Sequence, residues 1–114
     1  MELLCIALPI QPGKTQALRE FAKTITESRW KEYEDFQKRS RVQKVSWCLQ
    51  RSPQGDLFLI YNEGDEFAKL ISEFAVSVHP FDVWFRQKAL EISGFDFSKF
   101  EPSSLPELLL KYGY

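Results

Sequence analysis

The chain is poor in the residues that most enzyme chemistry requires. It has one histidine, His79, and one asparagine, Asn62. Its two cysteines, Cys5 and Cys48, show no CxxC spacing and no companion histidine cluster, so nothing suggests a zinc site or a redox motif, and no metal is expected. Each cysteine lies in an apolar stretch that reads as a strand, and both are expected as buried, unpaired thiols. No Ser-His-Asp pattern, carboxylate pair or glycine-rich phosphate cradle occurs. No apolar run approaches the ~20 residues of a membrane span. The longest, Leu3–Ile10, is strand-sized and lacks the basic segment and small-residue cleavage site of a signal peptide. A cytoplasmic protein without membrane contact is the expectation.

Net charge is also scarce, at −1, which gives the whole molecule no bias toward nucleic acid. The charge is unevenly spread. Residues 14–44 hold nine Lys/Arg and five Asp/Glu, a net of +4, which leaves −5 for the rest. The cluster Lys38, Arg39, Arg41 is the candidate anion contact. No aromatic platform or binding motif accompanies it, and a solvated helix end, where cations suit the macrodipole, accounts for it.

What is present is enough for a core. Hydrophobic residues make up 44% of the 114, a composition that excludes disorder. A single domain, 1–114, of this size buries about two-thirds of its unfolded surface without a disulfide or metal staple.

The clearest local signal is a hairpin, Val45–Gln50 and Leu57–Tyr61, around the turn 51–56. Pro53 presets φ, Gly55 can take positive φ, and Asp56 can bond nearby backbone. Before it, Leu3–Ile10 reads as a strand. Lys14 to about Ser40 reads as helix, with Leu18, Phe21, Ala22 and Ile25 at i, i+3, i+4, i+7 and then Trp30, Tyr33 and Phe36 on a slightly rotated face. This is one long helix bent near Ser28, or two helices. After the hairpin, Asp65 is the expected N-cap of a helix carrying Phe67, Leu70, Ile71, Phe74, Ala75 and Val78 on one stripe. His79-Pro80 interrupts it. Proline is destabilising inside a helix but favoured at the first turn of a new one. A break is therefore expected at Val78–His79, with His79 near the capping position of a helix over Pro80–Ser93 that Gly94 ends. Gly94–Phe100 is aromatic, and residues 101–106 form a stiff loop. Residues 107–112 then read as a last strand, with a helical turn as the alternative.

With that last strand the order is β-α-β-β-α-β, a ferredoxin-like α+β domain with an antiparallel sheet and helices on one face. Right-handed crossovers place the third strand between the first and second, and the fourth beyond the first. Cys5 and Cys48 then sit two strands apart, past the ~7 Å bridging limit. The first and third strands are apolar on both faces (Leu57, Leu59 and Tyr61 on one, Phe58 and Ile60 on the other). One-sided helix cover leaves such a second face unsatisfied. The expected cover is the same face of a second copy.

The element order, together with the stretches VSWCLQRSPQGDLFLIYNEGD and HPFDVWFRQKALEISGFDF, resembles the dimeric α+β barrel superfamily, and within it small bacterial proteins of unassigned function. The resemblance implies a homodimer joined through the sheet face. It also implies, for the monooxygenase-like members, a cofactor-free pocket between helices and sheet that binds or oxidises a small apolar or aromatic molecule. A non-catalytic small-molecule-binding or structural dimer is the alternative. On that resemblance the catalytic candidates are His79, Tyr61 and Asn62, and the substrate-binding candidates are Trp47, Trp84, Phe81 and Arg86. The heme-degrading relatives carry an asparagine on the first strand, and this first strand has none. No cofactor and no nucleic acid are expected.

Overall fold

The computed structural model describes residues 1–113, with Pro102 described by its backbone alone. Among the described residues, three strands and four helices follow in order: β1 (Glu2–Pro9), α1 (Thr15–Ser28), α2 (Trp30–Arg39), β2 (Val42–Gln50), β3 (Leu57–Gly64), α3 (Phe67–Val76) and α4 (Pro80–Ser93). The sheet is antiparallel with β3 in the centre, in the order β1-β3-β2. This is the expected order of the first three strands. Among the described residues there is no fourth strand. Residues 107–113 form neither strand nor helix and lie exposed, so the described residues do not complete the βαββαβ topology. Leu109 and Leu110 are largely exposed there, and Leu108 is half-buried.

Alternation decides the two sheet faces. Leu4, Ile6 and Leu8 of β1 stand opposite Asn62, Ile60 and Phe58 of β3, and Val45, Trp47 and Leu49 of β2 complete the row. This face takes the helices. Leu18, Phe21 and Ile25 from α1, Tyr33 and Phe36 from α2, Phe74 from α3, and Phe81 and Ile92 from α4 close one core over it. Phe81 is fully buried. Removing such aromatic side chains from water stabilises by roughly 2–3 kcal/mol each. A smaller cluster of Leu4, Phe67 and Ile71 continues the core toward β1, with Phe97, Phe100 and Leu105 packed on it.

The other face carries Leu3, Cys5, Ala7 and Pro9 from β1, Leu57, Leu59 and Tyr61 from β3, and Ser46, Cys48 and Gln50 from β2. Cys5, Ala7, Pro9, Ser46, Cys48 and Gln50 are exposed on it, and Leu3, Leu57, Leu59 and Tyr61 are partly buried. Both cysteines are unpaired, as expected, but they are exposed rather than buried. The reason is parity: odd residues of β1 and even residues of β2 point away from the helices.

Helix ends follow local chemistry. The long helical stretch divides at Arg29, whose φ of −129° leaves the helical region. Asp65 is not the N-cap of α3. That position is Glu66, in the left-handed region at φ 53°, and Glu2 reaches over from β1 to accept the Phe67 N–H at 3.0 Å. Asp65 instead sits 3.6 Å from the N-terminal amine. The break before Pro80 forms as expected. His79 is the N-cap of α4, and its Nδ1 accepts the Phe81 N–H at 3.3 Å. Gly94 ends α4 at φ 67°. Phe97–Lys99 is a single 3₁₀ turn.

In the hairpin turn, Asp56 bonds backward to the Ser52 N–H and outward to the Thr15 hydroxyl at 2.6 Å, with Arg51 at 2.9 Å. These contacts fasten the turn to the start of α1 and hold the Asp56 carboxyl below its usual range, the Thr15 bond contributing most. No described helix is long and apolar enough to cross a membrane.

Candidate functional site: an uncharged cavity between helices and sheet

Between the helix-facing side of the sheet and α2, α3 and the 95–106 segment lies a cavity of about 250 Å³. Its floor is Leu4, Ile6, Ile60 and Trp47, and its roof includes Phe36, Phe74 and Phe85. Phe97, Phe100 and Leu105 close the side below β1. No charged side chain lines it. The polar groups are Tyr33, Gln37, Asn62, Ser104 and the indole N–H of Trp47.

Each polar group is placed by its element. Tyr33 and Gln37 are one turn apart on α2, so they share a face. Burial pushes the Tyr33 hydroxyl up to about 12, against the opposing pull of hydrogen bonding to Gln37 and Trp47. At neutral pH it is therefore a neutral donor or acceptor. Asn62 lies in the inward row of β3, and its Nδ2 donates to the Leu4 carbonyl at 3.2 Å. That bond anchors the amide and leaves its Oδ1 out of the contact. Trp47 stands edge-on to Tyr33, with centroids 6.1 Å apart at 89°, and to Phe58 at 5.0 Å.

Of the residues singled out from sequence, the cavity brings together Asn62 and Trp47. Tyr61 faces the opposite side of the sheet. His79 caps α4 with 43% of its side chain exposed, its Nε2 3.9 Å from Asp35, and it does not line the cavity. Trp84 packs against Phe21 and Phe81, at 5.3 and 5.6 Å between centroids, with the Arg29 guanidinium 4.1 Å over its ring. Phe81 is core. Arg86 does not hold a carboxylate: its Nη1 donates to the Phe74 carbonyl at 2.7 Å, tying α4 to the end of α3. His79, Tyr61 and Asn62 thus occupy three separate environments.

Sequence reasoning did not find Tyr33 and Gln37 as site residues. Tyr33 read as one of three aromatic anchors on α2, and the available signal was its hydroxyl among otherwise apolar inward positions. A second group was also missed. Asp82, 2% exposed, takes both Arg39 terminal nitrogens at 3.1 Å and the Ser77 hydroxyl at 2.6 Å. Burial alone raises a carboxyl, but Arg39 and Ser77 outweigh it and hold Asp82 below the usual range. Arg39 also donates to Asp35 at 2.8 Å, and Arg41 meets Glu66 at 2.8 Å. The basic cluster at the end of α2 is thereby largely neutralised by its own acids. Among the described residues, no group of three or more His, Cys, Asp or Glu converges to hold a metal ion.

Compared with known proteins, the chain matches no family model, no curated protein and no solved structure.

Proposed function

We propose that the protein is a homodimer, joined through the sheet face opposite the helices, that binds a small uncharged apolar or aromatic molecule in the cavity between helices and sheet. The observation that carries this reading is the cavity's lining, which is apolar and aromatic with a few polar groups and no charge. Ligand sites have this composition: mostly apolar walls and a small number of placed polar atoms. A cavity of ~150 Å³ takes a benzene, so one of about 250 Å³ suits a molecule of about two rings. An ionised ligand is disfavoured, because burying a charge without a partner costs several kcal/mol. The doubly apolar β1 and β3 support the dimer, as does the exposure of Cys5 and Ala7 on the face opposite the helices, beside the partly buried Leu3, Leu57 and Leu59. Binding is favoured over turnover because the cavity has no histidine or carboxylate to move a proton.

The test is thermal unfolding with naphthols, quinols and flavonoid-like phenols, and with their carboxylated analogues as controls. A ligand at 100 times its Kd stabilises by about 2.7 kcal/mol, a rise of roughly 10 °C for a chain of this size. Neutral compounds should raise the melting temperature and carboxylates should not. Ile60→Trp, which fills the cavity, should abolish the shift. Absence of a shift with every neutral aromatic, or an equal shift in Ile60→Trp, refutes the binding site. Oxygen consumption on ligand addition would move the reading from binding to oxidation. Light scattering during size exclusion tests the dimer, with twice the 13.4 kDa chain mass expected.

A further inference from the structure

A second, smaller pocket of about 180 Å³ lies where the junction of α1 and α2 meets β2. Three of its walls are aromatic: Trp30, Tyr33 and Trp47. Tyr33, Val45 and Trp47 also wall the first cavity, whereas Ile25, Thr26 and Trp30 do not. The break at Arg29 builds the pocket. It makes Trp30 the first residue of α2, and Tyr33, three positions on, lies on the same helix face. The two rings stand 5.7 Å apart between centroids at 35°, and Tyr33 meets Trp47 at 6.1 Å and 89°. Phe21 and Phe58 back Trp47 at 5.2 and 5.0 Å, which fixes that wall. Hydrogen bonding of the Tyr33 hydroxyl to Gln37 and Trp47 fixes the middle one. Trp30 is the open wall, 50% exposed.

An aromatic ring has a negative π face, and a cation within about 6 Å of its centroid is attracted to it. Several rings set around one space are the arrangement that holds a quaternary ammonium group. The local charge agrees. The last turn of α1, the negative end of the helix dipole, supplies Ile25 and Thr26. Glu27 follows in that turn, and no basic residue stands there. Arg29 is turned to another ring, its guanidinium 4.1 Å over Trp84 and 3.9 Å from Glu32. Among the described residues, no Lys, Arg, carboxylate or side-chain amide lines the pocket. A cation that carries N–H donors would leave most of them unpaired there, at a cost; a quaternary ammonium carries none. Size agrees as well. Benzene fills a cavity of ~150 Å³, and a trimethylammonium head has comparable bulk. The mouth, at the exposed Thr26 and the half-exposed Trp30, keeps one side of the charge in water.

We propose that this pocket binds the quaternary ammonium head of a small free alkyl-trimethylammonium solute, with Trp30, Tyr33 and Trp47 as its cage. The site requires neither the dimer nor a ligand in the first cavity.

The experiment follows the N-methyl line of choline chloride by proton NMR as the full-length protein is added. The uncharged isostere 3,3-dimethylbutan-1-ol, with a tert-butyl line, is the control. The N-methyl line should broaden and move upfield, the direction that a ring face imposes. Choline should bind about five- to thirty-fold more tightly than the isostere, the range of a cation over aromatic faces. Equal affinities, or no saturable shift, overturn the proposal. Trp30→Leu keeps an apolar wall but removes the π face. It should erase most of the preference for the cation while the isostere still binds, and a retained preference overturns the proposal. Thr26→Lys changes no ring and sits at an exposed helix position, so it serves even where Trp30→Leu does not fold. It should weaken choline by about fivefold or more through like-charge repulsion, and an unchanged affinity overturns the proposal. Phosphatidylcholine vesicles and a trimethyllysine peptide carry the same head. If either binds about tenfold tighter per head group than choline, the free solute is overturned in favour of that carrier.

Discussion

The pair Arg39–Asp82 makes a prediction whose direction differs from simple symmetry. The two residues share two hydrogen bonds, both 3.1 Å, yet they are not equally stranded when separated. Asp82→Asn keeps the shape and removes the charge. Arg39 then still has Asp35 at 2.8 Å, and its side chain, 35% exposed, still reaches water. The loss is part of two charge-assisted hydrogen bonds, about 1.5–3 kcal/mol. Arg39→Met keeps the alkyl stem beside the Phe36 ring but leaves a carboxylate, 2% exposed, with only the Ser77 hydroxyl. Breaking a buried pair from that side costs about 3–5 kcal/mol. Arg39→Met should therefore be the more destabilising, and the double variant should cost less than the sum of the two. Urea unfolding followed by circular dichroism measures all three. The pH profile adds a second check. The folded Asp82 carboxyl lies below its unfolded value of ~3.9, so its contribution is present above about pH 4 and is lost as pH falls through the folded value. Asp82→Asn should flatten this acid limb. If Asp82→Asn costs as much as Arg39→Met, or the acid limb is unchanged, the buried pair does not act as argued.

Two further predictions concern the cavity and the helix break. Tyr33, raised to about 12 by burial, should stabilise the fold below its unfolded value of ~10 and lose that contribution as pH rises through 12; Tyr33→Phe should remove the highest-pH step in phenolate absorbance and flatten the alkaline loss of stability. Trp84→Ala should cost about 3 kcal/mol, since its ring packs on Phe21 and Phe81, whereas His79→Ala removes only a cap and should cost about 1 kcal/mol. Any ligand found by thermal shift should bind the His79→Ala variant with unchanged affinity, and a loss of binding there would return His79 to the site.

The legible parts of the fold are those where one local rule decides. The hairpin, the break at His79-Pro80, the Gly94 stop and the placing of β3 between β1 and β2 all follow from turn chemistry, proline geometry and crossover handedness. The illegible parts depend on what lies across a gap. Asp65 is a good N-cap by type, but Glu2 reaches the Phe67 N–H first, from a strand 65 residues earlier in the chain. Residues 107–112 read as a strand only because the topology called for a fourth one; three successive leucines carry no alternation, and no local rule there decides between strand, helical turn and neither. Cys5 sits in a run that is continuous because β1 is apolar on both faces, and Cys48 stands between Trp47 and Leu49. Such patterns show that the strands want cover; only the fold shows which face the helices take.

The candidate site divides along the same line, and here one rule was enough to foresee the outcome. Tyr61 and Asn62 are neighbours on β3, and successive strand residues point to opposite faces. They cannot both enter one cavity on one side of the sheet. Asn62 pairs across from Leu4 and Val45 on the helix side, so Tyr61 belongs to the opposite face with Cys5 and Ser46. His79 is kept out by a second rule: a residue that caps a helix ahead of proline spends its ring nitrogen on the Phe81 N–H. What remains in the cavity is an anchored amide, a neutral phenol, an indole N–H and aromatic walls. Those groups can orient an uncharged molecule and exclude water from it. None of them can take up a proton near neutral pH, so chemistry there would have to be brought by the ligand.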